Sequence, residues 1–201
     1  HARTFWLACG PGNNGGDGLE AAMQLRQRGL TAIVTWLGTP DSAPADARAS
    51  FERARAAGVQ WSDTPPTHYD ACIDALLGIG ANRPAQGRMA EWIACLNTRL
   101  VPVLAIDLPS GLPADTGASN GPCVQASHTL SLLTLKPGLF TAQGRDMAGQ
   151  VWLDTLSSTP VPNMAPRAAL IGAPAPLLRP HASHKGSYGD VAVLGGAPGM
   201  T

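Results

Sequence analysis

Net charge is what this chain lacks first. Fourteen Lys and Arg balance fourteen Asp and Glu, so the formal charge is zero. No excess of one sign is available to grip a phosphate backbone or an anionic lipid surface, and no nucleic-acid or membrane partner is expected. Cysteine is sparse: Cys9, Cys72, Cys95 and Cys123 are widely spaced, with no C-x-x-C pair, which argues against zinc. Cys9 and Cys72 lie beside apolar runs and read as buried thiols. They fit a reducing compartment, and the expected location is cytoplasmic. No apolar run reaches membrane length, no signal-peptide pattern is visible, and there is no internal repeat. The chain opens at His1 almost inside its first strand and stops after a strand-and-glycine turn, so it is read as a segment of a longer protein.

Glycine and proline are abundant. There are 23 and 18 of them in 201 residues, alongside 44% hydrophobic residues, which describes a loop-rich chain that can still bury a core. The stretch that dominates the reading is Cys9-Gly10-Pro11-Gly12-Asn13-Asn14-Gly15-Gly16-Asp17-Gly18. The apolar run Phe5-Trp6-Leu7-Ala8 leads into it, and a helical pattern from Leu19 to Arg28 leads out. A strand, a glycine-rich turn and a helix N-terminus bring backbone N–H groups and a positive dipole end to one point. Gly10, Gly12 and Gly15 fit G-x-G-x-x-G, a weak signal by itself. Asp17 would repel a pyrophosphate there, and no acid closes the second strand, Thr31 to Leu37, as a ribose-binding fingerprint requires.

Strand and helix patterns alternate along the chain. Helices are expected over Asp46–Ala57 and Met89–Asn97, and a short strand at Val59–Trp61. Further strands are expected over Tyr69–Leu77, Val101–Leu108, Thr129–Leu135 and Val151–Leu156. This predicts an α/β fold, a Rossmann-like three-layer sandwich with a mostly parallel sheet. Residues 157–183 are rich in Pro and Ala and read as a linker, and Val191–Leu194 as the first strand of a second domain.

Ligands of open parallel sheets sit beyond the carboxyl ends of the strands. Three strand ends carry polar groups: Asn13, Asn14 and Asp17; Asp74 with the loop Gly78-Ile79-Gly80-Ala81-Asn82-Arg83-Pro84; and Asp107-Leu108-Pro109-Ser110-Gly111. Asp74 lies in an apolar run and needs a partner. Either it accepts backbone N–H bonds in a loop, or it joins Asn14 and Ser110 as hard oxygen ligands, whose single charge suits a monovalent cation. Asp107 closes a buried strand. It is an acid/base candidate through desolvation, or an Asx-type turn residue. Lys136 neutralises a phosphate, holds a carboxylate, or is a surface lysine; Arg83 is a phosphate contact or an exposed loop residue.

Together, the glycine motif, Asp74-Ala75-Leu76-Leu77-Gly78-Ile79-Gly80, Ile106-Asp107-Leu108-Pro109-Ser110-Gly111, Lys136-Pro137-Gly138-Leu139 and Gly149-Gln150-Val151-Trp152 resemble the NAD(P)H-hydrate (NAD(P)HX) epimerase domain over residues 1–156. His184-Lys185-Gly186-Ser187-Tyr188-Gly189-Asp190 with Gly195 to Thr201 is similar to the opening of a ribokinase-like, ADP-dependent NAD(P)HX dehydratase. Both in this order imply the bifunctional repair family, here lacking the N-terminal helices of the epimerase domain and most of the dehydratase.

The resemblance implies that Asn13, Asn14, Gly15, Gly16, Asp17 and residues Gly78, Ile79, Gly80, Ala81, Asn82, Arg83 and Pro84 hold the hydrated nucleotide. It implies that Asn14, Asp74 and Ser110 bind potassium and that Asp107 contacts substrate as the catalytic group. Ile79 stands where the family carries a threonine. ADP and Mg2+ would belong only to the missing dehydratase domain. The implied partner is a small molecule, NAD(P)HX, and a homo-oligomer is expected. The rival readings are an NAD(P)-dependent oxidoreductase and an inactive binding module of the same fold.

Overall fold

The structure is a computed structural model that describes residues 2–80, 83–98, 100–159, 168–172, 182 and 192. The chain divides into two units, His1–Met164 and Ala165–Thr201. Everything below concerns the first. The expected strand at Val191–Leu194, apart from residue 192, and most of the expected linker and second domain lie outside the described residues.

Seven strands form one parallel sheet: β1 (Thr4–Cys9), β2 (Thr31–Trp36), β3 (Gln60–Trp61), β4 (Ala71–Ala75), β5 (Val103–Ile106), β6 (His128–Leu132) and β7 (Gln150–Asp154). Their spatial order is β3-β2-β1-β4-β5-β6-β7. The chain winds outward from β1 to β3, then crosses back to β4 on the other side of β1. The order therefore reverses between β1 and β4, where an open sheet leaves a crevice at its carboxyl edge. Four helices accompany the strands: α1 (Asn13–Gln27), α2 (Ala45–Ala56), α3 (Arg88–Thr98) and the short α4 (Gly144–Met147). A 3-10 turn covers Pro137–Leu139.

Alternation along β1 splits the core. Leu7 and Cys9 face α1 and α2 with Leu19, Met23, Val34, Ile73 and Ile106. Trp6 and Ala8 face the other way, with Leu76, Trp92, Ile93, Leu96 and Val103 around α3. This is the expected three-layer arrangement, with apolar strands buried on both faces.

Two boundaries differ from expectation for physical reasons. Asn13 to Gly18 form the opening turns of α1 rather than a loop ahead of it. Three glycines in six residues read as a turn because glycine is a poor helix former, but packing overrides that preference here. A Cβ on Gly15 would stand 1.9 Å from the Gly10 carbonyl oxygen, and one on Gly18 would stand 2.5 Å from the Ala75 Cβ. A Cβ on Gly16 would meet the Ala47 backbone of α2 at 2.8 Å. The glycines let α1 press onto the sheet and onto α2. The second difference is β6, which stops at Leu132 instead of Leu135 because Leu133 turns back with φ 65°.

Replacing Gly15 by Ala should lower stability by about 2–3 kcal/mol, the cost of overpacking against immobile backbone. Gly12→Ala, with open space around its Cβ position, should change stability by less than about 0.5 kcal/mol. Urea midpoints of the two variants check this.

Candidate functional site at the carboxyl edge of the sheet

A cleft of about 670 Å³ opens at the reversal point. Its walls are Pro11 to Asn14 and Asp17 of α1 and the turn before it, Leu76 to Gly80 after β4, Asp107 after β5, and Leu132 to Thr134 with Lys136 after β6. Leu156 adds an apolar contact. Helix α1 starts here with no side-chain cap and no acid in its first turn. Its leading N–H groups and the positive end of its dipole are therefore available to an anion.

Beneath the cleft, Asn14, Asp74 and Ser110 meet around one peptide. Asn14 Nδ2 donates to the Leu77 carbonyl (2.9 Å), and the Leu77 N–H donates to Ser110 Oγ (2.8 Å). Ser110 Oγ donates to Asp74 Oδ1 (2.6 Å) and the Ser110 N–H to Asp74 Oδ2 (2.8 Å). The Leu76 N–H adds a third donor at 3.2 Å. Asp74 is fully buried with no cationic side chain in contact among the described residues. Burial pushes its carboxyl up to about 6, against the pull of the Ser110 and Leu76 hydrogen bonds. The loop-capping alternative for Asp74 is thus observed. The four oxygen-bearing groups, the Asn14 amide, Leu77 carbonyl, Ser110 hydroxyl and Asp74 carboxylate, also match the donor chemistry of a hard monovalent cation.

Asp107 occupies a strained turn. Its φ is 70°, and the Leu108 N–H closes back on the Ile106 carbonyl at 2.9 Å, a γ-turn of the uncommon positive-φ kind. Strain of this sort concentrates at functional positions. The next strand ends the same way, with Thr134 N–H on Leu132 O (2.7 Å) around Leu133. That turn throws Lys136 back over the sheet edge. Its ammonium pairs with Asp107 Oδ1 and also donates to Leu132 O (2.6 Å) and Ser131 Oγ (3.3 Å). Lys136 is only 7% exposed, so its part is to hold a carboxylate and not to sit at the surface. Asp17 stands on α1 facing the same cleft; burial first, then the Asp107 charge, push its carboxyl above the ordinary value.

Some expected contacts lie elsewhere. Gly15 and Gly16 are buried and do not line the cleft with a surface of their own; the sides on which a Cβ would stand face Gly10 and Ala47. Arg83 and Pro84 are exposed outside the cleft wall, and Ala81 and Asn82 fall outside the described residues. Ile79 lines the rim, 65% exposed. The sequence reading missed Leu132, Leu133, Thr134 and Leu156, which carry no polar signature beyond one hydroxyl. At the end of β2, where a dehydrogenase would place its ribose-binding acid, Trp36 instead donates its indole N–H to the Gly10 carbonyl (3.0 Å).

The sequence model of a family described as YjeF-related protein N-terminus matches residues 1–138. The chain belongs to that family. It is 42% identical over 150 residues to an NAD(P)H-hydrate epimerase of Achromobacter xylosoxidans, covering 73% of this chain and 72% of that protein. It is 37% identical to a bifunctional NAD(P)H-hydrate repair enzyme of Leishmania braziliensis and 32% identical to the bifunctional NAD(P)H-hydrate repair enzyme Nnr of Escherichia coli K12. Each of those two alignments takes in 98% of this chain but only 38% and 40% of the relative, so the chain spans well under half of their length. The crystal structure of yeast YNL200c shares the fold, with a TM-score of 0.60 at 20% identity over 75% of this chain and 65% of that one. Among the described residues, no helix is long and apolar enough to cross a membrane.

Asp74→Ala should cost about 3 kcal/mol, because it leaves the Ser110 N–H, Ser110 O–H and Leu76 N–H buried without an acceptor. Thermal denaturation of the variant against the parent protein measures this.

Proposed function

We propose that this chain interconverts the R and S epimers of hydrated NADH and NADPH, and that Asp107 is its catalytic group. The observation that carries the reading is Asp107 itself: a strained, ion-paired carboxylate facing a cleft that also receives an uncapped helix N-terminus. The naming of the Achromobacter relative as an NAD(P)H-hydrate epimerase, at similar length, supports it. So does the absence of a ribose-binding acid after β2, which weakens the oxidoreductase alternative.

The chemistry needed is modest. At the hydrated nicotinamide carbon, the neighbouring ring nitrogen can expel the hydroxyl once that oxygen is protonated. The flat iminium that forms takes water on either face. The protein must bind the phosphates, hold the ring and move protons at one oxygen. The leading N–H groups of α1 suit the phosphates. Leu76, Leu77, Leu132 and Leu133 supply apolar wall against the ring and exclude water. Asp107 is placed to carry the proton. Asn14, Asp74 and Ser110, with the Leu77 carbonyl, would hold potassium. When bound, the ion balances the buried Asp74 charge and stiffens the loops after β4 and β5. We further read residues 157–183 as a linker and 184–201 as the start of an ADP-dependent dehydratase domain, in keeping with the bifunctional relatives aligned over 98% of the chain. The small molecule NAD(P)HX is then the partner, in a cytoplasmic homo-oligomer.

Incubating the purified protein with NADHX and following the epimer ratio tests the activity. Asp107→Asn should lower kcat about a thousandfold with KM within about threefold, since Asn also tolerates positive φ. Turnover near that of the parent protein would falsify the assignment of Asp107.

Exchanging potassium for tetramethylammonium should lower the melting temperature by a few degrees. The same exchange should leave Asp74→Asn unmoved, as thermal shift can show.

A further inference from the structure

Epimerisation through a flat intermediate poses a problem that one carboxylate does not solve. The hydroxyl leaves from one face of the ring and water arrives at the other. A single group fixed in the wall reaches one face, unless the ring turns over inside the cleft. Asp107 is fixed. Its Oδ1 accepts from Lys136 Nζ and from the Leu132 N–H (3.3 Å), and its main chain is locked by the Asp107 N–H donating to Leu130 O (2.8 Å). All three N–H bonds of Lys136 are directed at Asp107, Leu132 and Ser131. The lysine thus holds Asp107 in place, and Asp107 Oδ2 has no protein partner among the described residues.

A second carboxylate faces the same cleft from a different element. Asp17 projects from the second turn of α1, and neither of its oxygens has a hydrogen-bond or ion-pair partner among the described residues. Among the described residues, the titratable groups lining the cleft are these two aspartates and Lys136. The lysine lies on Asp107, so the two carboxyl groups have unlike surroundings: one is matched with a cation, while the other, on an exposed residue of α1, has no cation on it among the described residues and feels its neighbour's charge. Two acids set apart in this way are the usual arrangement for one proton donor and one proton acceptor.

Resting on the epimerase reading, we propose that Asp17 is a second catalytic residue, serving the ring face that Asp107 does not reach. The step balances as follows. Asp17, protonated, gives its proton to the hydroxyl oxygen. The carbon–oxygen bond breaks, the ring-nitrogen lone pair forms the C=N bond, and water leaves. Water then adds to the opposite face; its oxygen bonds to carbon, the C=N electrons return to nitrogen, and the released proton passes to Asp107 Oδ2. The reverse direction exchanges the two roles, and solvent resets the protons between turnovers. A protonated Asp17 also removes the objection that an acid beside the start of α1 would repel a bound phosphate.

The test is oxygen exchange in 18O-labelled water, followed separately in the two NADHX epimers. Asp17→Asn should lower the epimerisation kcat by about a hundredfold or more, with KM changed less than about threefold. It should still catalyse label uptake into one epimer, the one whose hydroxyl faces Asp107. Asp107→Asn should show the complementary pattern, with label entering the other epimer alone. Asp17→Glu should recover part of the epimerisation. If Asp17→Asn keeps a kcat within threefold of the parent protein, or loses only KM as a ribose contact would, the proposal fails. It fails equally if Asp107→Asn abolishes exchange in both epimers, since one carboxylate would then serve both faces. Absence of epimerisation by the parent protein is a different result, and overturns the functional reading itself.

Discussion

Ser110 ties this site together. Its hydroxyl donates to the buried Asp74 of β4 while accepting from the Leu77 N–H, and its own N–H returns to Asp74. One residue of the loop after β5 therefore fixes the loop after β4 through three hydrogen bonds, two of them to a charged or chargeable group and so of the stronger kind. Leu77 then fixes Asn14 through its carbonyl, which sets the start of α1. The edges of three elements distant in sequence are held by one knot of short-range polar contacts. Loosening it would uncouple the helix N-terminus from the wall that faces it.

The sheet order explains why the knot forms where it does. Asp74 pairs in register with Ala8 on one side and Ala105 on the other, so its side chain leaves the sheet between the first strand and the fifth. Strand β4 also flanks the reversal point, where no crossover covers the carboxyl edge. A carboxylate there is enclosed by the sheet yet one peptide away from an open cleft. This placement reconciles its two readings. As a loop cap it is fully hydrogen-bonded; as the proposed cation ligand it would carry charge that those hydrogen bonds compensate only in part.

Much of this was legible from residue pattern. Apolar runs marked the inner strands β1, β2, β4 and β5, because parallel strands buried on both faces leave little ambiguity of period, whereas β3 and β7 at the sheet edges are largely exposed. Asp74, Asp107 and Lys136 stood out because a charged residue inside or beside such a run demands an explanation. The glycine motif was harder. Its residues were read as ligand contacts, and the structure adds a packing reason for two of them: Gly15 and Gly16 give up their side chains so that α1 can close on Gly10 and α2. Composition alone does not distinguish a glycine that admits a ligand from one that admits a neighbouring backbone. The apolar side of the cleft was not legible either. Leu133 reads as one more strand residue, and only its positive φ turns it and Lys136 toward Asp107.

The paired turns at the ends of β5 and β6 hold the Asp107–Lys136 ion pair together at a cost in backbone strain. Leucine at φ 65° and aspartate at φ 70° are both disfavoured, and glycine would relax either position by about 1 kcal/mol or more. Glycine is common in this chain and takes the relaxed solution at Gly29, Gly58 and Gly111, although Ala142, Leu156 and Ser157 reach positive φ without it. At Asp107 the relaxed residue would delete the carboxylate. At Leu133 it would free the segment that carries Lys136. Ala142, Leu156 and Ser157 also hold positive φ without serving an ion pair, so it is the strain taken together with the Asp107–Lys136 contact that distinguishes this edge.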